Sequence, residues 1–535
     1  MTTGRTNFSK ADIGGEILSI LTSGLYRDKL DAFREYIQNS MDAGSTKIGL
    51  SVNPDVVSIA DDGKGMNARQ ARQAIRLGIS EKNPINNVGF RGIGIYSGFN
   101  LCDRLEVFTR SKEDTGHRIL FDFNTIRREL LSEQERRKRG QLPQLYLEAL
   151  LEETVFVEPL GKDENLALGT VVVMSGLLPE AYRRINEWAD VVEYLQNVVP
   201  LPFDPEFRYA EEIEKRFAEE DFQTIPVVLQ IGNRQEEVYR PYTNSLFAHG
   251  GHYPPEFFEI SHANRYYGFA WVCINDANAT LKDTKVRGLL IKKKGFSIGD
   301  RRFVEPFFGR TVFSRRSTGE IIIDHDDLIP NAARSDFESN STRQIFLREA
   351  LPRVIKKIDA WGNNIQQNAR AQEVLAETIK SLNAVDQELI TIQRDRDALL
   401  RLNPRLSVIE STIKPHRRRL MNLDSDGLSR AIDSLNGAKN FVREALVVDR
   451  RQRLKLEKEI VDTVQRQVLA EEEQKEDFSG PDDLISLLDA YDLIDRPELR
   501  RLFQYLDENI IREHLDQDEY LRTIREIRDF LEEGP

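Results

Sequence analysis

Three short motifs follow one another near the start of the chain: FREYIQNSMDAG (33–44), ADDGKGM (60–66) and NVGFRGIGIYSG (87–98). In the first motif, Glu35 and Asn39 are four residues apart, so they project from one face of a predicted helix. The second has the glycines of a turn after a strand, and the third is rich in glycine. Their order and closeness predict one nucleotide site.

Each motif offers a different part of such a site. A carboxylate and an amide oxygen on one helix face can hold a water and a hard cation such as magnesium. Asp61, at the turn, can accept a hydrogen bond from an exocyclic amine. The segment Gly89–Gly94 leaves backbone N–H groups bare, and the apolar IYSGF after it can open a helix, which suits phosphate binding.

The glycine spacing excludes two common nucleotide motifs. Gly89, Gly92 and Gly94 follow G-x-x-G-x-G, which is not the dinucleotide fingerprint G-x-G-x-x-G, and the chain has no G-x-x-x-x-G-K-[ST] loop. Taken alone, each motif also has an ordinary explanation: a solvated helix face, a turn or a loop. The three together, in this order, favour the site.

The order Glu-x-x-x-Asn-x-x-Asp, Asp-x-Gly-x-Gly and Gly-x-x-Gly-x-Gly resembles the Bergerat-fold ATPases of the GHKL group, most closely their heat-shock protein 90-like and MORC-like branch. The resemblance implies an α/β sandwich that binds ATP and Mg²⁺. It implies that Glu35 is the general base, that Asn39 is the magnesium ligand and that Asp61 accepts a hydrogen bond from the adenine amine. It also implies that residues 67–88 form a mobile lid. Ser80 and Lys82 resemble a Ser-x-Lys of that branch, and Thr170 resembles the last adenine-binding box. The ATP-binding residues implied are Asn39, Asp42, Ala43, Asp61, Gly63, Gly65, Met66, Ser80, Lys82, Gly89, Phe90, Arg91, Gly92, Ile93, Gly94 and Thr170.

A second resemblance lies further along the chain. The run DLIPNAAR (327–334) keeps the Leu, Asn and Arg spacing of a loop in the middle segment of the heat-shock protein 90 chaperones, with its proline one place later. In that family the loop arginine reaches the γ-phosphate, which implies a catalytic role for Arg334 beside Glu35 and Lys82. Lys292, Lys293 and Lys294 are rival candidates, because MutL-like members use a lysine from the second domain.

Composition narrows the class of protein. The chain has 535 residues, 40% of them hydrophobic, and a net charge of −13. The length predicts two to four domains, and the charge argues against a general nucleic-acid coat protein. Cys102 and Cys273 have no metal-site or redox spacing. We find no signal-length apolar core and no apolar run of eighteen residues, and therefore expect a cytoplasmic protein without a membrane span.

The predicted fold class is α+β, in four parts. A GHKL ATPase domain occupies 1–199, and a transducer-like α/β domain occupies 205–350, after the linker PLPFDP. A helical coiled-coil arm is predicted at 351–475, interrupted at Asn403-Pro404, and a small acidic helical domain at 482–533. The arm is expected to be an antiparallel hairpin of two long helices.

These features predict an ATP-hydrolysing, nucleotide-gated homodimer that acts as a chaperone-like switch on a protein client, bound through the C-terminal helices. A role in bacterial defence rests on analogy with other members. The alternative is a MORC- or MutL-like DNA clamp, favoured by the basic runs KPHRRR (414–419) and RRQRLK (450–455) but not by the net charge. A sensor kinase needs a phosphoacceptor histidine before the ATPase domain, and the first histidine is His117.

Overall fold

The structure is a computed structural model that describes residues 12–26, 28–142, 145–161, 166–220, 222–247, 254–275, 280–392, 395–446, 520, 522–524, 526 and 527. It divides into two compact units, Met1–Gln367 and Asn368–Pro535. The basic run at 450–455 and nearly all of the predicted acidic domain at 482–533 lie outside the described residues. The four-part domain division stays a prediction.

An eight-stranded sheet forms the first part of the N-terminal unit, in the order β5-β4-β3-β6-β2-β1-β7-β8. Its strands are β1 Ile48–Asn53, β2 Val56–Asp61, β3 Cys102–Arg110, β4 His117–Asp122, β5 Val155–Pro159, β6 Gly169–Leu177, β7 Val227–Ile231 and β8 Arg234–Val238. Strands β1 and β2 form an antiparallel hairpin that turns at Asn53-Pro54. Strands β7 and β8 follow the predicted linker, yet β7 pairs in parallel with β1, so the sheet extends past residue 199.

Helix α2 is fixed against this sheet by its apolar face. The helices of this part are α1 Glu16–Leu25, α2 Asp31–Asp42, α3 Ala68–Ala74, α4 Phe123–Lys138, α5 Leu147–Thr154, α6 Pro179–Ile185, α7 Trp188–Val198 and α8 Ala210–Glu219. Phe33 and Ile37 of α2 are fully buried in the core, which stabilises the fold by about 1.5–3 kcal/mol for each side chain. Their burial sets the rotation of the helix and leaves Glu35 and Asn39 outside the core.

A five-stranded sheet in the order β12-β11-β13-β10-β9 forms the second part of the N-terminal unit. Its elements are β9 Glu256–His262, β10 Arg265–Ile274, β11 Gly288–Lys293, β12 Phe296–Ile298, α9 Thr311–Arg316, β13 Ser317–Ile323 and α10 Ser341–Ile345. β11 and β13 pair in parallel, and β10 pairs antiparallel with β13. The two sheets with their covering helices, and the long helices after them, confirm the predicted α+β class.

The described part of the second unit is helical. Its elements are the C-terminal part of α11 Leu351–Ile392, then α12 Arg396–Ile413, α13 Arg417–Leu423 and α14 Ser425–Ala445. They share one apolar core, to which Leu382, Leu402 and Leu435 contribute. The described residues therefore form a small bundle and not the predicted two-helix hairpin, because four helices contribute to one core. The predicted coiled coil stays a prediction.

The prediction that Asn403-Pro404 interrupts the helix is wrong. Helix α12 begins after its cap Asp395 and contains Pro404. A proline inside a helix removes one backbone hydrogen bond and costs about 3 kcal/mol. Leu402 and Leu406 are both fully buried on either side of it, and their burial offsets that cost. None of the described helices is both long enough and apolar enough to cross a lipid bilayer.

A buried ion pair lies inside the second sheet. Arg240 bonds Glu320, and the side chains are 0% and 1% exposed. The ammonium of Lys292, also buried, lies 3.8 Å from the same carboxylate. Arg240, directly after β8, donates to the carbonyl of Leu201, which lies between α7 and α8 in the first part of the unit. Glu320 therefore neutralises the buried guanidinium of Arg240 and lies beside a lysine that also has no access to water.

We predict that Glu320→Ala lowers the free energy of unfolding by about 3–5 kcal/mol, because it leaves the buried guanidinium of Arg240 without its anion. The measurement is urea unfolding at neutral pH. The matched control is Glu236→Ala, which removes a carboxylate from an exposed pair with Arg234 and should leave the unfolding midpoint unchanged. Equal midpoints for the two variants would contradict the role given to the buried pair.

Candidate functional site

A cavity of about 510 Å³ opens between helix α2, the end of β2, residues 79–95 and the loop at 330–334. It collects residues from both parts of the N-terminal unit. The predicted residues that line it are Glu35, Asn39, Asp42, Ala43, Asp61, Gly65, Met66, Ser80, Lys82, Gly89, Phe90, Arg91, Gly92, Ile93, Gly94, Thr170 and Arg334. Gly63 and the three lysines 292–294 do not line it.

Helix α2 supplies the acidic side of the cavity. Glu35 Oε1 accepts a hydrogen bond from Arg34 Nη2 at 3.1 Å, and Arg34 Nη1 also bonds Asp31. The other carboxylate oxygen of Glu35 faces Gly94, where a Cβ atom would lie only 2.7 Å from it. Glu35 is thus oriented by a buried arginine on one side, and a side chain at position 94 would displace its carboxylate on the other.

The turn after β2 holds Asp61 in a fixed position. Ser40 Oγ donates to Asp61 Oδ2 at 2.8 Å, and the N–H of Gly63 donates to Oδ1 at 2.9 Å. Gly63 therefore supports the site without lining it. Gly65 has φ +65°, and a Cβ there would lie 2.0 Å from the carbonyl oxygen of Arg110. Only glycine fits this turn.

The threonine predicted for the last box has a partner that the sequence analysis missed. Thr170 Oγ1 lies 3.1 Å from Thr109 Oγ1, and Thr109 accepts a hydrogen bond from the N–H of Met66. Thr109 and Thr170 are paired across β3 and β6. The pairing of two distant strands is not visible in a local motif.

Asp42 joins the helix to the glycine-rich loop and to the lid. Its Oδ1 accepts from the N–H of Val88 at 2.7 Å, and its Oδ2 accepts from the N–H of Gly89 at 3.1 Å. Lys82 Nζ donates to Asp42 Oδ2 at 2.8 Å and to Asn39 Oδ1 at 2.9 Å. The Asp42 side chain is only 4% exposed. The negative charge of Asp42 is therefore neutralised by the Lys82 ammonium, and its oxygens also accept hydrogen bonds from two backbone amides.

Backbone geometry and two contacts of Arg91 fix the position of the rest of the glycine-rich loop. Gly92 has φ +70°, and a Cβ there would lie 2.6 Å from the carbonyl oxygen of Ile79. Arg91 Nη2 donates to the carbonyl of Pro330 at 2.7 Å and bonds the carboxylate of Glu338. The lid carries Ser80, whose hydroxyl accepts from the N–H of Lys82. The loop is thus held between the lid and the second part of the unit.

The loop after β13 brings Arg334 into the cavity. Arg334 has φ +52°, its Nη2 donates to the carbonyl of Val88 at 3.1 Å, and the residue is 8% exposed. Its Nη1 has no hydrogen-bond partner among the described residues. Burial lowers the pKa of Arg334 to about 10, so it carries a charge at neutral pH. A buried cationic donor without a partner is suited to an anion.

The three rival lysines lie in different surroundings. Lys292 Nζ donates to the carbonyl of Val199 and Lys293 Nζ to that of His325. Burial lowers the pKa of Lys292 to about 7 and that of Lys293 to about 8. Lys294 Nζ instead donates to the carbonyls of Pro84 and Asn87 in the lid. Of the three, only Lys294 reaches the edge of the site.

The sequence analysis missed two further groups of the site, one that lines the cavity and one that contacts Glu35. Gln38 lines it and is 2% exposed, and its Nε2 has no hydrogen-bond partner among the described residues. Arg34, next to Glu35, looked like an ordinary charged helix residue. Its burial beside two carboxylates appears only in the folded chain.

Comparison of the sequence with those of known proteins finds similar proteins that are consistent with a nucleotide site. Residues 29–144 match the family model of histidine kinase-, DNA gyrase B- and HSP90-like ATPases. The chain is 35% identical over 105 residues to a DNA mismatch repair protein MutL of Nostoc punctiforme, covering 18% of each chain. It is 26% identical over 135 residues to a putative type II restriction enzyme HgiDII of Herpetosiphon aurantiacus, covering 24% of this chain and 22% of that one. It is 29% identical over 131 residues to a chaperone protein HtpG of Rhodospirillum rubrum, covering 18% and 21%.

The chain therefore spans about a fifth of the length of these relatives. Both the MutL and the heat-shock protein 90 branches are represented, so the predicted group is confirmed. Residues 29–144 therefore carry an ATPase domain of the GHKL group.

Proposed function

We propose that this protein binds ATP with Mg²⁺, hydrolyses it, and uses the cycle to switch the arrangement of its domains. The observation that carries the proposal is the meeting of Glu35, the glycine-rich loop and Arg334 at one cavity. A base, a loop that offers backbone N–H donors and a cation with a free donor are what hydrolysis of a terminal phosphate needs.

Nucleotide binding is assigned to two ends of the cavity. Asp61 is held by Ser40 and Gly63, and it accepts the exocyclic amine of adenine, with Gly65 and Thr170 beside the base. The phosphates lie along Gly89–Gly94, where backbone N–H groups and Lys82 offer donors. Gly65 and Gly92 keep the backbone in the close-packed turns that border these two ends.

The magnesium ion is assigned to Asn39. Lys82 Nζ already lies between Asn39 Oδ1 and Asp42 Oδ2, which supports the suitability of these oxygens for a cation. Oxygen ligands of this kind suit magnesium, which keeps several waters and binds substrate phosphates. The ion would neutralise phosphate charge at this position.

Hydrolysis is assigned to Glu35 and Arg334. Glu35 accepts a proton from the attacking water, while Arg34 and Gly94 keep its carboxylate in place. Arg334 donates to the γ-phosphate and stabilises the charge that develops there, an effect worth about 10³-fold or more in related arginine systems. Lys82 supplies a second cation from the lid.

The cycle is proposed to work on a partner. Because Arg91 and Arg334 bond across the two parts of the unit, a nucleotide that moves the glycine-rich loop also moves the second part. We propose a nucleotide-gated homodimer in the cytoplasm that acts on a protein client through its C-terminal helices, as in a chaperone-like switch. The similarity to HtpG supports this form.

A DNA clamp is the second candidate. It is favoured by the relatives named as DNA mismatch repair protein and putative type II restriction enzyme. It is also favoured by the cationic residues Lys414, directly after α12, and Arg417 and Arg418, at the start of α13. A cluster of this kind can bind a phosphate backbone, with an affinity that falls as salt rises.

We predict opposite defects for two carboxylates of the site. Glu35→Ala should lower the hydrolysis rate by at least about 100-fold and leave the Kd for ATP nearly unchanged, because the base acts on water. Asp61→Asn should raise the Kd at least about 10-fold, because the amide cannot accept from both Ser40 and adenine. Calorimetry and phosphate release measure the two effects. Wild-type turnover by Glu35→Ala would refute its assignment as base.

Arg334→Ala should lower the hydrolysis rate by about 10³-fold while the affinity for adenosine stays the same, since the guanidinium acts on phosphate alone. Arg334→Asn is the matched variant, because asparagine tolerates a positive φ and separates backbone strain from the loss of charge. Arg302→Ala removes an exposed arginine nearby and should have no effect. Unchanged turnover in both Arg334 variants would remove this residue from the mechanism.

The two candidate functions differ in their response to DNA. For the switch, we expect light scattering to show a dimer or a compaction with a non-hydrolysable ATP analogue, whether or not duplex DNA is present. The clamp predicts DNA retention that grows with the analogue and weakens with salt. Arg417→Ala combined with Arg418→Ala should abolish that retention, and DNA binding with this signature would decide for the clamp.

A further inference from the structure

Two consecutive peptide groups at the start of the glycine-rich loop are held from both sides. The N–H of Val88 donates to Asp42 Oδ1 at 2.7 Å, and the carbonyl of the same peptide, that of Asn87, accepts from Lys294 Nζ at 3.0 Å. The next peptide repeats the pattern. The N–H of Gly89 donates to Asp42 Oδ2 at 3.1 Å, and the Val88 carbonyl accepts from Arg334 Nη2 at 3.1 Å.

In a trans peptide the N–H and C=O groups point in opposite directions. A cation on the carbonyl therefore fixes the direction of the amide on the other side. It also polarises the peptide, so that the N–H becomes a stronger donor. Asp42 supplies the anion to both amides, and the second part of the unit supplies one cation to each carbonyl.

Lys294 also fixes the turn that precedes this loop. The N–H groups of Asn86 and Asn87 bond the carbonyl of Asn83, and Asn83 Oδ1 accepts from the N–H of Ile85. At the start of the turn, the side chain of Asn83 thus accepts a hydrogen bond from a backbone N–H of the turn itself. At its end, Lys294 Nζ bonds the carbonyls of both Pro84 and Asn87 at 3.0 Å. A cation is the favourable partner for carbonyls at the end of such a turn.

The backbone at Lys294 supports a role for its side chain. Lys294 and Gly295 are the two central residues of the hairpin between β11 and β12, with φ +49° and +81°. A turn with two positive φ values favours Asn, Asp or Gly at its first position. Lysine there is unfavourable for the turn itself. Its long cationic side chain reaches the lid, which asparagine cannot do.

We propose that Lys294 is a positioning residue for nucleotide phosphate. It holds the Asn87–Val88 peptide, and through that peptide it fixes where the phosphate-binding loop begins. The inference rests on the proposed ATP site. It differs from a direct contact between Lys294 and phosphate, because the Lys294 ammonium bonds two protein carbonyls and acts through the backbone.

The test uses the full-length protein with Lys294→Met and Lys294→Asn. Hydrogen exchange without nucleotide should become at least about fivefold faster in peptides that cover residues 83–91, because the carbonyl partners of Lys294 are lost. The Kd for a non-hydrolysable ATP analogue should rise about 5- to 20-fold, while the Kd for adenosine changes less than about twofold. Lys294→Arg should restore most of the affinity.

Two controls separate positioning from general stability. Lys294→Asn suits the turn better than lysine, so its melting temperature should be no lower than that of the wild type. Lys285→Met removes an exposed lysine that pairs with Glu193 at 2.7 Å, in the same unit but without a contact to the lid. This variant should leave both lid exchange and nucleotide affinity unchanged.

Unchanged exchange in both Lys294 variants would overturn the proposal, and a loss of affinity with unchanged exchange would instead mean direct contact with phosphate. An equal loss of affinity for adenosine and for the ATP analogue would mean that Lys294 has a merely structural role. If the wild-type protein bound no nucleotide, the proposed function itself would fall. Unchanged exchange in variants of a protein that does bind nucleotide would overturn only the role of Lys294.

Discussion

The carboxylate of Asp42 is the point on which the candidate site depends. It bonds the ammonium of Lys82 and the amides of Val88 and Gly89, so it joins helix α2 to the lid and to the glycine-rich loop. An almost fully buried carboxylate is costly unless it is paired and hydrogen-bonded. These segments must therefore stay together around it, and the shape of the cavity follows from that requirement.

The same requirement extends to the second part of the unit. The peptides whose amides reach Asp42 present their carbonyls to Lys294 and Arg334, and both residues have positive φ values that long side chains seldom adopt. Local strain of this kind persists only where the surrounding structure imposes it. The buried pair of Arg240 and Glu320 links the second sheet to the carbonyl of Leu201 in the first part of the unit. Nucleotide binding at the loop and the position of the second sheet are thus physically linked.

Much of this was accessible from the sequence. The spacing of residues in the sequence predicts the polar face of α2, the β1–β2 hairpin and the glycine turns, because helices and turns depend on residues close together in the chain. The contacts of Thr109 and Lys294 were not accessible, because they depend on strands and loops that meet only in the folded chain. Pro404 is a case in which local sequence was misleading. A proline usually ends a helix, but here the burial of the leucines around it offsets the cost of keeping it inside one.

The central claim is that a residue of the second sheet's loop completes an ATP site built on α2 and the glycine-rich loop. The most direct test is an experimental structure of the Glu35→Ala protein with ATP and Mg²⁺. We expect adenine on Asp61, phosphates along Gly89–Gly94, the metal on Asn39, and the free nitrogen of Arg334 on the terminal phosphate. A nucleotide bound in the cavity with its phosphates directed away from Arg334 and the loop would contradict the account.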